Sequence, residues 1–204
     1  MHPLPTPAQA ASDFLPEPRE QDLKTPNWLW RSLVLDPAGG DASKETELSL
    51  KIWPFTQTLI GQKEMLLYAQ RRLMASKFAD FDRGDEEAWE ERNRPWDYDH
   101  LTPRSISNVN PVTEYVHFFR LWQNMIGNFH VLPFAENRSR GAEAANIFFK
   151  GRNQNDLQLM LLESLDSLDL FSITKPQLKQ DGKAVLAFAR IVRQRLLGIY
   201  RDWH

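Results

Sequence analysis

Asp99 and His100 stand side by side in Trp96-Asp97-Tyr98-Asp99-His100-Leu101-Thr102-Pro103-Arg104-Ser105. Downstream, Gly127-Asn128-Phe129-His130 leads into Pro133-Phe134-Ala135-Glu136-Asn137-Arg138-Ser139-Arg140-Gly141. A histidine exchanges its proton near neutral pH, so it can act as a general base toward water. A carboxylate and an amide oxygen are hard donors of the kind Mg²⁺ takes. A divalent ion held by them stabilises charge on a phosphate and on the oxygen that leaves it. Asp99, His100, Asn128 and Asn137 are thus the side chains that one-metal phosphodiester hydrolysis requires, provided the chain brings the two segments together.

The elements around them are arranged to do so. Pro95 favours an extended entry, and Tyr98–His100 reads as the end of a strand, with Pro103 forcing an irregular loop. Residues 111–125 read as a helix with Phe118, Phe119, Leu121, Trp122 and Met125 inward. Residues 128–132 read as a short strand, and 136–150 as a helix entered at Asn137. Flanking helices are expected over 58–78, 155–168 and 183–203, each from an apolar stripe at helical spacing. Residues 86–91 suggest a short charged helix. Trp28–Leu35 reads as a short helix or anchor, ending at the Asp36-Pro37-Ala38-Gly39-Gly40 turn. Residues 1–26 hold six prolines and no sustained period, so an extended arm or linker is expected there.

The two motif segments resemble the HNH, or ββα-metal, endonuclease superfamily. The resemblance lies in Asp99-His100-Leu101-Thr102-Pro103-Arg104-Ser105, in Asn128, and in Asn137 within Asn137-Arg138-Ser139-Arg140-Gly141. Within that superfamily the chain is most similar to HNH domains fused to ParB-like NTPase domains in bacterial restriction and anti-phage proteins. The shared phrases are Pro95-Trp96-Asp97-Tyr98-Asp99-His100 and Ile126-Gly127-Asn128. The resemblance covers about 95–150 and implies a small ββα-metal core, a two-stranded hairpin and helix, within a mainly α chain. It implies His100 as general base, Asn128 as the brace of loop or histidine, and Asp99 and Asn137 as ligands of one Mg²⁺ or Mn²⁺. It further implies DNA as substrate, and an NTPase or sensor domain on the same longer chain or on a partner.

Composition limits these expectations. The chain has 204 residues, with seven Trp and twelve Phe, enough to build a core. A helical bundle around the hairpin is expected over 27–204. No cysteine is present, which excludes disulfides and any Cys-ligated zinc. The net charge of −2 gives no general affinity for nucleic acid. Local cations must supply it: Arg104 beside the loop, and Arg138, Arg140, Lys150 and Arg152 after the second motif. No apolar run is long enough for a membrane span and no signal-peptide pattern opens the chain, so a cytoplasmic protein is expected. A nuclease with one such site cuts one strand, so a homo-oligomer would suit double-strand cleavage.

Each residue also has a plainer reading. His100 could be a loop histidine bonded to backbone, and Asp99 a turn carboxylate. Asn137 could be a helix N-cap, which uses the same amide oxygen as metal ligation. Asp97 shares a strand face with Asp99 and is a weaker candidate acid in support. His130 and His117 read as packing or surface residues. The cations after Asn137 fit a solvated helix face as well as a DNA contact. The alternative function is a non-catalytic DNA-binding or interaction module of HNH shape.

Overall fold

The computed structural model describes residues 12, 15–24, 57–58, 60–82, 84–91, 93–162 and 165–201. Among the described residues the helices are α1 (Glu64–Ala69), α2 (Arg71–Lys77), α3 (Glu114–Gln123), α4 (Phe134–Arg140), α5 (Ala145–Phe148), α6 (Gln154–Leu159), α7 (Leu165–Phe171), α8 (Lys175–Gln180) and α9 (Gly182–Arg201). The described strands are β1 (Trp96–His100) and β2 (Phe129–Pro133), which pair antiparallel. The fold is mainly helical with one small two-stranded sheet, as expected. The expected helix or anchor at 28–35 and the turn at 36–40 lie outside the described residues.

The chain's longest apolar stripe builds the platform. In α9, Val185, Leu186, Phe188, Ala189, Val192, Leu196 and Ile199 are buried, at the spacing of one wide helical face. Helix α3 lays Val116, Phe119 and Trp122 into the same core, with Phe119 and Phe188 rings 4.5 Å apart. The turn that starts β2 sits directly on α9. A Cβ on Gly127 would come 2.0 Å from the Val192 carbonyl oxygen, so only glycine allows this approach. Arg195 of α9, fully buried, donates from Nη1 to the carbonyls of Gly127 (2.8 Å) and Phe129. Burial pushes its guanidinium down to about 9. The helix thereby fixes where the hairpin begins.

Several helices expected as continuous are broken, each at a residue with another task. The stretch 58–78 divides at Gln70, whose buried side chain accepts a hydrogen bond from Val131 N (3.1 Å) in β2. The stretch 136–150 stops at Gly141, which takes φ +54. The stretch 155–168 breaks at Leu161, a non-glycine residue at φ +58, because Arg195 draws the Met160 and Leu161 carbonyls to itself. The acidic stretch at 86–91 forms only a short 3-10 turn, Glu87–Trp89. It packs through aromatics: Phe78, Phe81 and Trp89 surround Trp96, the first residue of β1.

The described part of the expected N-terminal arm has no regular secondary structure over 16–19 and then makes a 3-10 turn at Glu20–Lys24. It does not hang free. Leu15 and Leu23 are buried in the core, and α9 holds the segment through Arg193 Nε to Leu15 O (2.7 Å) and Arg190 Nε to Pro18 O (3.3 Å).

Candidate functional site

The register of the hairpin decides which side chains meet. Asp99 pairs with His130 and Asp97 with Leu132, so all four occupy one face of the sheet. Trp96, Tyr98, His100, Phe129 and Val131 occupy the other. Helix α4 follows β2 without a loop and contacts both strands.

Asn137 and Arg140, three residues apart on α4, meet the carboxylate face. Asn137 Nδ2 donates to Asp97 Oδ2 at 2.9 Å. Arg140 Nη1 donates to Asp99 Oδ2, and the same guanidinium donates to the carbonyls of His100 (2.7 Å), Leu101 (2.6 Å) and Glu143 (3.3 Å). Phe148 and Phe149 cover Arg140, which is 4% exposed. His130 is fully buried with Nε2 3.3 Å from Asp99 Oδ2. The carboxylate is best served by the tautomer that carries the proton on Nε2.

Electrostatics follow from this packing. Burial lowers His130 to about 4 despite Asp99, so the ring is neutral at pH 7. Burial pushes the Asp99 carboxyl up, but the His130 hydrogen bond and the Arg140 guanidinium outweigh it and hold Asp99 below the usual carboxylate range. His100 is lowered to about 4, first by burial and then by Lys63, Arg104 and Arg140 against the pull of Asp99. Its imidazole is therefore in the neutral form a general base must have. Its Nε2 is shielded and has no hydrogen-bond partner among the described residues.

The loop that follows His100 is fastened from three sides. Asn128, fully buried, accepts from Thr102 N through Oδ1 (3.0 Å) and donates from Nδ2 to Gln123 O (2.9 Å). Its own carbonyl accepts from Leu101 N (2.7 Å). Gln123 Nε2 donates to Pro103 O (3.0 Å), and Thr102 Oγ1 donates to Phe171 O (2.5 Å). Asn128 thus ties the backbone after His100 to the end of α3.

Three sequence expectations change. Asn137 lies inside α4, whose first turn is entered at Pro133, so the N-cap reading falls. Its side chain meets Asp97, not Asp99, because α4 runs its Asn137 end over the earlier part of β1. Arg140 is no surface cation for DNA: it is buried and spent on Asp99 and backbone carbonyls. Arg152 is half-buried and ion-paired with Glu136 at 2.6 Å, which reduces its value for phosphate. Arg104, Arg138 and Lys150 are exposed as a DNA contact would need.

The donors fit a hard divalent ion in type. Asp97, Asp99 and Asn137 put carboxylate and amide oxygens on one face. Asp99 Oδ2 is committed to Arg140 and His130, while Oδ1 takes no hydrogen bond among the described residues. A turn of the Asn137 amide would present its oxygen in place of Nδ2. The described residues hold no group of three or more His, Cys, Asp or Glu side chains suited to a metal, so the amide oxygen and water would have to complete the shell.

Sequence reasoning underrated His130 and passed over Lys63 and Gln123. The pairing of His130 with Asp99 was available from the two strands once their register was drawn. Lys63 was not, since nothing in sequence links 63 to 100. No described helix is long and apolar enough to cross a membrane. Searches of family models, of curated proteins and of solved structures find no match to this chain.

Proposed function

We propose that this chain is a metal-dependent DNA endonuclease of HNH type, hydrolysing phosphodiester bonds one strand at a time. The observation that carries the reading is the order strand, braced loop, antiparallel strand, helix, with Asp99-His100 ending the first strand and Asn137 crossing it from the helix. His100, neutral at physiological pH, projects from the face of β1 opposite Asp99, so it accepts the proton of the attacking water where that water reaches the strand's end between the two faces. Asn128 and Gln123 keep the loop, and so the imidazole, in place. Asp99, Asn137 and Asp97 would hold Mg²⁺ or Mn²⁺, which supplies charge stabilisation at the phosphate and the departing oxygen. Arg140 positions Asp99 and ties the helix to the loop. The resemblance of the motifs suggests a bacterial restriction or anti-phage setting, with a sensor or NTPase domain elsewhere.

A second reading, a DNA-binding or interaction module without catalysis, is favoured by one observation. Arg140 already neutralises Asp99, and a divalent ion must share that carboxylate with it. A crystal soaked in Mn²⁺ tests the choice. An anomalous peak within coordination distance of Asp99 and Asn137 supports the nuclease. An undisturbed Asp99–Arg140 pair with no ion, in protein that binds DNA without cutting it, supports the module.

A further inference from the structure

A cavity of about 940 Å³ opens between the N-terminal segment, the turn after α6, α7 and the C-terminal half of α9. That volume suits a small-molecule site. Leu161 and Leu197 give it apolar walls, and Arg190, Arg193, Arg195 and Arg201 give it a basic side. Glu17 is the acidic side chain among its described lining residues, and it stands 3.6 Å from Arg190 Nε.

Three independent features converge there. The first is Arg195, which is 6% exposed and has no acidic side chain acting on it among the described residues. Of the five N–H groups of a guanidinium, Nε and Nη2 each give one, to the Leu161 and Met160 carbonyls, and Nη1 gives two, to Gly127 and Phe129. One N–H of Nη2 is left without an acceptor among the described residues. The carbonyl dipoles hold this cation without neutralising it, and a buried charge that lacks a counter-charge is costly. The second is Gly198, which lines the cavity from within α9. A glycine inside a helix weakens it, and this one has ordinary helical backbone. A Cβ there would meet nothing within 4 Å, so packing does not demand the missing side chain. Its absence leaves room in the cavity. The third is Leu161 on the opposite wall, held at φ +58, a conformation leucine avoids.

We infer that this cavity binds a small phosphate monoester, its anion held by Arg195 and Arg193 and its apolar body lying against Leu161, Leu197 and the bare backbone of Gly198. Arginine forks match phosphate oxygens and lose little hydration on meeting them. Arg190 is engaged with Glu17, which leaves Arg193 beside Arg195 for the anion. The body is a nucleoside or an alkyl chain, since both present apolar surface next to a phosphate. The assignment goes beyond the nuclease reading and does not rest on it.

The test is calorimetric titration of the intact chain with adenosine monophosphate and, separately, with hexyl phosphate. Adenosine and hexanol serve as the uncharged controls. At least one of the two phosphates should bind with Kd below about 1 mM, and its uncharged counterpart at least about tenfold more weakly. Binding of the nucleotide alone identifies an aromatic body, and of hexyl phosphate alone an alkyl one. Gly198→Leu, which fills the gap and should melt no lower than wild type, should bind neither phosphate measurably. Arg193→Gln should weaken binding about threefold or more, and Glu17→Gln should strengthen it, because a carboxylate leaves the anion's surroundings. Thermal melts confirm that each variant is folded. Failure of both phosphates to bind below about 1 mM overturns the inference. So does equal binding of an uncharged control, or wild-type affinity in both Gly198→Leu and Arg193→Gln.

Discussion

Replacing Arg140 by methionine should be among the most damaging single changes near the site. The thioether keeps the stem's packing against Phe148 and Phe149 but removes every donor. Asp99, whose side chain is 16% exposed, loses its ion pair, and the carbonyls of His100 and Leu101 lose their main partner. Breaking a buried pair costs about 3–5 kcal/mol, because the surviving charge stays desolvated. Asp99 keeps His130 and some contact with water, which places the expected cost near the lower end, about 3 kcal/mol. For a chain of this size that corresponds to a fall in Tm of about 6–12 °C. Urea unfolding of wild type, Asp99→Asn, Arg140→Met and the double variant forms a cycle. The double variant should be more stable than the sum of the single losses by at least about 1 kcal/mol, since the second change removes the stranded charge. A loss under about 1 kcal/mol for Arg140→Met, or additive single effects, would refute the view that Arg140 clamps Asp99 and the His100 loop.

Asn128→Ala strands Thr102 N and Gln123 O in the core and should cost about 2–3 kcal/mol, measured by denaturant unfolding. Gly127→Ala must push the turn off α9 and should destabilise more than an ordinary surface change, by roughly 2 kcal/mol or more, visible as a lower Tm. His130 has its folded pKa lowered from 6.5 to about 4, so the unfolded chain binds a proton that the folded chain refuses over that window. Its stability contribution is intact above about pH 6.5 and is lost progressively down to pH 4, by about 3 kcal/mol in all. Unfolding titrations from pH 7 to 4 should show this slope on top of a similar one from His100, whose pKa is also lowered to about 4, and His130→Gln should remove only its own share. Arg138→Gln with Lys150→Gln should weaken DNA binding and lower its salt dependence by up to two charges, read by fluorescence anisotropy.

The hairpin and its helix were legible because each rests on local signals. Pro95 and Pro103 bracket β1 and the 127–128 turn opens β2, whereas the helix expected over 136–150 ends already at Gly141. The long helices 183–203 and 111–125 declared themselves by apolar stripes wide enough to survive as α9 and α3. The breaks at Gln70 and Leu161 were not legible. Both arise from partners distant in sequence, Val131 and Arg195, that outcompete helix continuation for the backbone. Likewise, Asp99, His100, Asn128 and Asn137 could be named from type and spacing, and they lie on or beside one hairpin, with Asp99 and His100 on its opposite faces. Their pairing could not be named, because it depends on how α4 crosses the strands: Asn137 falls on Asp97, and Arg140 takes Asp99. Arg140 looked like a surface cation in the run Asn137-Arg138-Ser139-Arg140, and only the helical turn separates it, buried, from exposed Arg138.

The central claim is that His100 takes a proton from water in a metal-dependent attack on DNA. It is tested most directly by the time course of supercoiled-plasmid nicking with and without Mg²⁺ or Mn²⁺. Wild type should convert plasmid to open circles only when the ion is present. His100→Ala, folded by its thermal melt, should nick at least about a hundredfold more slowly. No nicking by wild type at any ion concentration, or equal nicking by His100→Ala, would contradict the account.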